Sequence, residues 1–262
     1  MDKQPKLLRA YAFFYLAFLY APILMLPLFS VNNAIAVSFP LHGFTLRWYG
    51  RMFRDQSLHA ALFNSLQVAV IASVAATSAG TLTAYALTRG RGFLTRPVAG
   101  LAVLPLFIPG IILGIALLMV VNLIGIGPSL TAVTLGHIAV CLPLTIVIMR
   151  GRFASTSASI DEAAMDLGAT PWTTFRRVSL PLALPGFVSC LILSFTTSID
   201  EFIVSFFLVG TQETLPLYIW DHLRFPEQLP QLLGLGTLIL ICSGALVLCA
   251  EFLRRRGAAQ SA

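Results

Sequence analysis

Long apolar stretches alternate with short polar segments along the whole chain. Six stretches are long enough to cross a membrane, because a helix needs about 20 predominantly apolar residues to span a ~30 Å hydrocarbon core. They cover about residues 10–31, 62–88, 98–123, 129–149, 184–209 and 232–253. The pattern predicts an all-α polytopic membrane protein with six transmembrane helices, in which residues 1–262 form a single domain.

The composition supports this prediction and excludes an ordinary soluble fold. Apolar residues make up 57% of the 262 residues and charged residues 11%, against about 45–50% and about 25% in soluble domains. The four cysteines, Cys141, Cys190, Cys242 and Cys249, all fall in expected spans without CxxC spacing. We therefore interpret them as small packing residues, and we expect neither a metal nor a cofactor.

The net charge of +6 is explained by membrane topology. Most Lys and Arg residues fall on one side of the six-span arrangement: Lys3, Lys6, Arg9, Arg89, Arg91, Arg96, Arg150, Arg152, Arg176, Arg177, Arg254, Arg255 and Arg256. The other side holds Arg47, Arg51, Arg54 and Arg224. The positive-inside rule then places both termini and the loop between spans four and five in the cytoplasm. We expect contact with membrane lipid and no nucleic-acid partner.

The N-terminal apolar segment is interpreted as a retained first span. A secretory signal has a shorter apolar region of about 7–15 residues. Pro22 and Pro27 also lie within this segment.

Three further features each allow two interpretations. The segment around Trp48, within residues 32–61, predicts a helix that either lies on the membrane surface or packs over the outer ends of the spans. Pro109-Gly110 predicts a break in the third span, which is either a packing kink or a bend lining a pathway. His137 in the fourth span is read as a hydrogen-bonded packing residue, with a proton relay or metal ligand as the alternative.

The second span carries a packing surface of small residues: Ala72, Ser73, Ala75, Ala76, Ser78, Ala79, Gly80 and Ala84. Small side chains let helix backbones approach closely inside a membrane. Gly110 and Gly114 form a GxxxG pair in the third span, with the same implication.

The loop between spans four and five predicts two short helices joined by a bend. Ser159-Ile160-Asp161-Glu162 fits a capping box with Ser159 as N-cap, and Asp161 is expected on the polar face of the first helix. Gly168 supplies a left-handed C-terminal turn. Thr170-Pro171 then starts a second helical turn, and Leu180-Pro181 and Pro185-Gly186 are expected to redirect the backbone into the fifth span. The expected apolar face of the first helix is formed by Ile160, Ala163, Ala164 and Leu167.

This loop resembles the EAA loop of ABC importer permeases, whose pattern is EAA, three residues, G, nine residues, I or V, one residue, LP. Every position is present, from Glu162-Ala163-Ala164 through Gly168 and Val178 to Leu180-Pro181. We call residues 150–181 the EAA loop. The resemblance implies that the loop docks into a cleft of a cytoplasmic ATPase. The docking candidates are Glu162, Ala163, Ala164, Asp166, Gly168 and Arg176. The alternative is that Glu162 only caps the helix and the alanines pack against the chain's own spans.

The family also implies the partners and the location of the protein. They are a second homologous permease subunit, two ATP-binding cassette ATPase subunits and a periplasmic solute-binding protein, around a multi-pass protein of the bacterial inner membrane. The sequence contains no G-x-x-x-x-G-K-[ST] motif for ATP binding, so we expect no catalysis by this chain. An ion-coupled secondary carrier and an intramembrane enzyme are the rival classes.

Two adjacent acidic residues, Asp200 and Glu201, lie in the fifth span. Charges inside a membrane normally face a bundle interior or a water-filled path. On a continuous helix Glu201 shares a polar stripe with Ser194, Thr197 and Ser198, so this set is the candidate substrate pathway. Asp200 belongs to the candidates either as a pathway residue or as a contact to another subunit or behind the pathway. The alternative for both carboxylates is an outer-mouth pair that bonds to neighbouring backbone or to the partner subunit.

An acidic pathway without basic residues favours a cationic, amine-bearing solute. The chain is similar to the spermidine/putrescine branch of the permease family in three regions: Asn64-Ser65-Leu66, Leu104-Pro105 to Pro109-Gly110, and Ser198 to Phe202 followed by Thr214 to Ile219. The resemblance implies polyamine import. Import of an amino acid-like, phosphonate, iron or sugar-derived solute is the alternative.

Overall fold

The computed structural model describes the backbone of residues 6–90 and 95–259, and the side chains of residues 8–90 and 97–244. Part of the predicted basic set lies outside the described residues or side chains: Lys3, Lys6, Arg91, Arg96 and Arg254–Arg256. The side chain of Cys249 lies outside them as well.

Within the described residues, the regular structure is helical, apart from one isolated antiparallel bridge between Asn32 and Phe44. In chain order the helices are α1 (Lys6–Ser30), α2 (Arg47–Met52), α3 (Gln56–Arg89), α4 (Thr95–Val103), α5 (Gly110–Leu123), α6 (Leu130–Ala154), α7 (Ala158–Asp166), α8 (Pro171–Thr174), α9 (Leu180–Asp200), α10 (Ile203–Leu208), α11 (Leu215–His222) and α12 (Leu229–Ala259). Short 3-10 turns cover Leu104–Phe107 and Pro226–Gln228, and a π turn covers Phe175–Ser179.

The all-α prediction is confirmed. Within the described residues, four helices are long and apolar enough to cross a membrane, and five if a bent pair counts as one span. These helices correspond to the first five predicted stretches. The sixth falls on α12, whose side chains are described only as far as residue 244.

Two predicted boundaries move outward. Helix α3 begins at Gln56 rather than near residue 62, and α6 continues to Ala154 rather than ending near residue 149. Apolar content was the basis of the prediction, but a helix does not end where the sequence becomes polar. Gln and Arg are good helix formers and extend both helices beyond their apolar parts.

The chain divides into two compact units, residues 1–56 with 219–262, and residues 57–218. In the first unit, α12 packs against both α1 and α2. Trp48 is buried and its indole Nε1 donates a 2.8 Å hydrogen bond to the Asn32 carbonyl. The Tyr49 hydroxyl lies 2.7 Å from the Ser30 hydroxyl. Of the two interpretations of this segment, these contacts favour the packed helix.

In the second unit, five of the eight small residues predicted to form a packing surface on α3 are buried: Ala72, Ser73, Ala76, Gly80 and Ala84. Ala75 is half-buried, and Ser78 and Ala79 are exposed. A Cβ atom at Gly80 would lie 2.7 Å from Cγ2 of Thr145 on α6. That separation is too short for a side chain, so only glycine permits this approach of the two helices. Helix α6 also packs along α9, and together they position the EAA loop.

Two of the expected spans are broken. The predicted break at Pro109-Gly110 is confirmed, and the two halves of that span are bent by 110°. The expectation of a continuous fifth span is wrong, because α9 ends at Asp200 and α10 begins at Ile203. Glu201 adopts an extended backbone conformation, and its carboxylate accepts a 3.0 Å hydrogen bond from the Val204 amide. The side chain thereby satisfies a donor that the break leaves without a helical partner.

The second halves of the two broken spans, α5 and α10, pack against each other. Gly110 faces Ile203, and a Cβ atom at Gly114 would lie 2.5 Å from Cδ2 of Phe207. The GxxxG pair therefore provides the close approach that the sequence predicted. An apolar core cluster continues this contact through Val68, Val121, Ala132, Val133, Val204 and Leu208.

Candidate functional site

The first helix of the EAA loop, α7, begins two residues earlier than predicted. Its N-cap is Ser157, whose hydroxyl accepts a 3.3 Å hydrogen bond from the Ser159 amide. The prediction of Ser159 as N-cap is wrong. Both serines can cap a helix, but Ser157 has the extended backbone that an N-cap requires, with φ −60° and ψ 133°. Ser159 instead lies within the first turn of α7.

The predicted bend at Gly168 is confirmed. Gly168 has a φ of +88°, a conformation that side chains strongly disfavour. Its amide donates to the Met165 carbonyl at 2.9 Å, and the Ala169 amide donates to the Ala164 carbonyl at 3.1 Å. These two bonds form a Schellman motif, which satisfies carbonyls at the end of α7.

The second helix of the loop also starts as predicted. The Thr170 hydroxyl accepts a 3.2 Å hydrogen bond from the Thr173 amide, and Pro171 occupies the first helical position. The expectation that Leu180-Pro181 and Pro185-Gly186 redirect the backbone is wrong, because all four residues lie within α9. Helix α8, the π turn and α9 follow one another without interruption, and residues 171–200 form one 30-residue helical stretch. Pro181 lies in the first turn of α9, directly after the π turn.

The EAA residues lie on the surface of the described chain. Glu162, Ala163, Asp166, Gly168 and Arg176 are exposed, and Ala164 is half-buried. The surrounding apolar side chains are exposed as well: Leu167 at 90%, Trp172 at 60%, Ile160 at 42% and Met165 at 41%. An apolar surface of this kind on a polar loop is typical of a protein contact.

Asp161, immediately before this motif, is buried, and its expected place on the polar outer face is wrong. Arg89 Nε, at the end of α3, donates to Oδ2 of Asp161 at 2.6 Å. The Ser179 hydroxyl, at the end of the π turn, donates to Oδ1 at 2.6 Å. Arg89 Nη2 also donates to the Thr156 carbonyl at 3.0 Å. We call Arg89, Asp161 and Ser179 the anchor cluster. In the sequence, the only indication of this cluster was that Arg89 and the EAA loop are both expected on the cytoplasmic side.

An open cavity of about 400 Å³ lies between the end of α3 and α7. Its lining includes Arg89, Asp161 and Glu162, together with Tyr85, Thr88, Gly90, Ala158 and Met165. Beside it, Tyr85 contacts Phe153 and Phe175, with ring centroids 5.4 and 4.9 Å apart. The anchor cluster therefore lies between an aromatic cluster and the exposed EAA surface.

The acidic pair lies at the break between α9 and α10. Asp200 is exposed and Glu201 half-buried. Glu201 holds the start of α10 through the Val204 amide, as described above, and its backbone carbonyl accepts a 2.8 Å hydrogen bond from Ser205. Because of the break, the helical stripe that grouped Glu201 with the serines ends at this point.

The predicted pathway hydroxyls differ in exposure. Thr197 is half-buried, whereas Ser194 and Ser198 are buried against α6. The Ser194 hydroxyl lies 3.3 Å from that of Thr145. In the described chain, the accessible members of the candidate set are thus Asp200 and, in part, Glu201 and Thr197.

His137 is a hydrogen-bonded packing residue, as predicted. Its Nδ1 lies 2.7 Å from the Ser198 hydroxyl on α9, and its Nε2 lies 2.8 Å from the Ser205 hydroxyl on α10. A neutral imidazole has one donor and one acceptor nitrogen, so it bonds both hydroxyls at once. The histidine therefore bridges the break in the fifth span.

Asn64 and Ser65 hold the segment that follows α10. The Ser65 hydroxyl accepts a 2.8 Å hydrogen bond from the Leu215 amide at the start of α11. The Asn64 amide Nδ2 donates to the Glu213 carbonyl at 2.9 Å. These contacts supply a structural role for two residues that the sequence marked only by resemblance.

Comparison with curated proteins identifies polyamine permeases among the relatives. The spermidine/putrescine transport system permease protein PotC of Escherichia coli (strain K12) is 35% identical over 241 residues, which cover 91% of this chain and 90% of that protein. PotC of Haemophilus influenzae (strain ATCC 51907 / DSM 11121 / KW20 / Rd) is 35% identical over 248 residues, covering 94% and 96%. The putrescine transport system permease protein PotI of Escherichia coli (strain K12) is 34% identical over 251 residues, covering 93% and 89%.

A solved structure shares the fold. It is a bacterial ABC transporter involved in the import of the acidic polysaccharide alginate, and it matches with a TM-score of 0.76 at 18% identity over 96% of this chain and 100% of that chain.

Residues 76–256 match the family described as binding-protein-dependent transport system inner membrane component. The match includes the complete EAA pattern on its two-helix loop. It also includes the long apolar helices α6 and α9. The chain therefore belongs to this family and is the permease component of an ABC importer.

Proposed function

We propose that the chain forms half of the translocation pathway for a cationic polyamine such as putrescine or spermidine. The acidic pair at the break in the fifth span carries the proposal, because Asp200 is exposed there and Glu201 is partly accessible. Two carboxylates favour an amine-bearing solute, and charges at such depth face a path or a protein interior. The polyamine permeases among the relatives support the same substrate class.

The full arrangement has six membrane spans with both termini in the cytoplasm, the last span being the apolar part of α12. The distribution of basic residues supports this orientation. Helix α1 exposes most of its apolar side chains, with 6% of its most apolar stretch buried. Such a surface fits contact with lipid and with a second homologous permease subunit. A periplasmic solute-binding protein delivers the solute, and the related alginate transporter has been solved with a periplasmic protein carrying alginate.

The EAA loop docks into a cleft of one of the two ATPase subunits. Exposed Glu162, Ala163, Asp166, Gly168 and Arg176, with half-buried Ala164, form the contact, and exposed Leu167 and Trp172 extend it. Closure of the ATPases on ATP moves the loop, and the continuous helical stretch of residues 171–200 carries that motion to the acidic pair. ATP hydrolysis belongs to the ATPase subunits, and the chain has no enzymatic activity of its own.

Charge-neutralising variants in the assembled transporter test the substrate class. Glu201→Gln keeps a side-chain oxygen that accepts the Val204 amide, so this substitution removes charge while the start of α10 stays capped. We expect an Asp200→Asn/Glu201→Gln double variant to lose ATP-dependent putrescine uptake by roughly tenfold or more in proteoliposomes. Ser189→Ala, at an exposed position on the same helix, serves as the control. Putrescine uptake equal to that of the wild type would contradict the cationic pathway.

Two substitutions in α7 test the ATPase contact. Glu162→Ala alters the exposed surface, whereas Ser157→Ala removes only the N-cap. We expect Glu162→Ala to weaken co-purification of the ATPase and Ser157→Ala to leave it intact. If both variants retain the ATPase equally, the docking role of Glu162 is wrong.

A further inference from the structure

The anchor cluster joins three separate parts of the permease at one carboxylate. Arg89 is the last residue of α3, Asp161 lies in α7, and Ser179 is the last residue of the π turn that leads into α9. Both oxygens of Asp161 are used, one by Arg89 and the other by Ser179, each at 2.6 Å. The EAA helix is therefore attached at one point to two helices that continue into the apolar part of the chain.

The attachment is stiffer than ordinary surface contacts. The Asp161 side chain is 5% exposed and that of Arg89 17%, so water screens the pair little. Arg89 also holds the Thr156 carbonyl before α7, which fixes the guanidinium in one orientation. Charge-assisted hydrogen bonds of this kind are short and directional.

Two adjacent residues of α7 have different roles: Asp161 anchors the helix, and Glu162 belongs to the docking surface. Asp161 is buried and faces the chain, whereas the next residue, Glu162, is exposed. The same turn of α7 therefore exposes one side to a partner and is attached to the rest of the chain on the other side through Asp161. A push on the exposed face reaches α3 and α9 through this carboxylate, because the two short bonds resist a change in their length.

We infer that Arg89, Asp161 and Ser179 are positioning residues for energy coupling, which transmit ATPase-driven motion of the EAA loop to α3 and α9. This inference rests on the proposed docking of the EAA loop to the ATPase. It assigns these three residues a role in coupling, in addition to the role of the docking surface. Loss of the cluster disconnects ATP hydrolysis from transport while the ATPase remains bound.

The experiment uses the complete transporter in proteoliposomes, with putrescine as the probe. The variants are Asp161→Asn, Arg89→Gln, Ser179→Ala and the Arg89→Gln/Asp161→Asn double variant. Arg177→Gln, an exposed arginine in the same π turn, controls for loss of a positive charge. Three quantities are measured for each: ATPase retained on co-purification, ATP hydrolysed, and putrescine transported per ATP hydrolysed.

We expect Asp161→Asn and Arg89→Gln to retain the ATPase at wild-type amounts and to transport at least about threefold less putrescine per ATP, the size of effect typical of residues within a coupling network. Ser179→Ala is expected to show a smaller loss, because one of the two attachments of Asp161 remains. The double variant is expected to lose less than the sum of the two single losses, because both substitutions break the link between Arg89 and Asp161. Arg177→Gln is expected to match the wild type.

Three outcomes would overturn the inference. The first is an unchanged amount of putrescine per ATP in every variant, even if the yield of folded transporter falls, since that would make the cluster purely structural. The second is losses that add in the double variant. The third is an equal loss in Arg177→Gln.

Failure of the proposed docking gives a different pattern. In that case Glu162→Ala retains the ATPase, whatever the behaviour of the anchor cluster. A cluster without a coupling role instead leaves putrescine per ATP unchanged while Glu162→Ala still loses the ATPase.

Discussion

The two ends of the helical stretch from residue 171 to residue 200 are held in different ways. At the EAA-loop end, an ion pair and a serine hydroxyl meet at Asp161. At the other end, the neutral side chain of His137 bridges Ser198 and Ser205 across the break. A charged group is tolerated near the polar loop, but it is costly deep in an apolar environment. The Arg89–Asp161 ion pair holds the loop end, whereas hydroxyl–imidazole contacts bridge the break, beside the carboxylates of Asp200 and Glu201.

The comparison predicts that the charged end depends more strongly on a single residue. Arg89→Met leaves Asp161 buried without its cation, and we expect a loss of about 3 kcal/mol in the free energy of unfolding. Denaturation of the purified protein in mixed micelles measures this loss. Arg177→Met, at an exposed position, is the matched control and is expected to change stability by less than about 0.5 kcal/mol. Equal effects of the two substitutions would contradict the importance of the buried pair.

Helices α5 and α10, which follow the breaks in their spans, pack closely on each other. A Cβ atom at Gly114 would lie 2.5 Å from the Phe207 ring. Gly114→Ala therefore overpacks the contact and is expected to lower the free energy of unfolding by about 2 kcal/mol. Gly100→Ala, in α4 with open space around it, is expected to be neutral or to gain up to about 1 kcal/mol. Unfolding in mixed micelles compares the two. A stable Gly114→Ala variant would show that the packing of α5 on α10 relaxes easily.

At the break, His137→Leu is expected to lower the free energy of unfolding by about 1 kcal/mol, in keeping with hydrogen bonds between membrane helices. The loss is smaller than that of Arg89→Met because no charge is left behind, and the Ser205 hydroxyl still has the Glu201 carbonyl as a partner. The same unfolding assay applies. A loss as large as that of Arg89→Met would remove the contrast between the two ends.

The smallest expected effect concerns the start of α7. Ser157→Ala removes the observed N-cap and is expected to lose about 0.5 kcal/mol of local stability, whereas Ser159→Ala is expected to be closer to neutral. Hydrogen exchange of the α7 amides measures the difference. Faster exchange of the α7 amides in Ser159→Ala than in Ser157→Ala would contradict Ser157 as the N-cap and favour Ser159, which the sequence predicted.

Local features of the candidate site were predictable because they depend on neighbours within one helical turn. Gly168 and Thr170-Pro171 direct the chain through their own backbone preferences, and both lie as expected. Ser157 and Ser159 show the limit of such reasoning, since both residue types suit the cap. The choice between them depends on how the chain leaves α6.

Features that join distant parts of the chain were not predictable. Arg89 and Asp161 are 72 residues apart, and no local pattern indicates that the carboxylate turns inward. The break after Asp200 also lacks the glycine or proline that marks the break at Pro109-Gly110. It is formed where α10 packs on α5, and the Glu201 side chain compensates the unpaired Val204 amide.

The sequence by itself determined the membrane class, the apolar helices and the EAA pattern, because hydrophobic length and turn chemistry act locally. The tertiary structure alone decided which carboxylates are buried, where the fifth span breaks and which helices the EAA loop is attached to. These outcomes depend on contacts between residues far apart in the chain. Such contacts form only when the helices pack, since burial and hydrogen-bond partners are properties of the assembled fold.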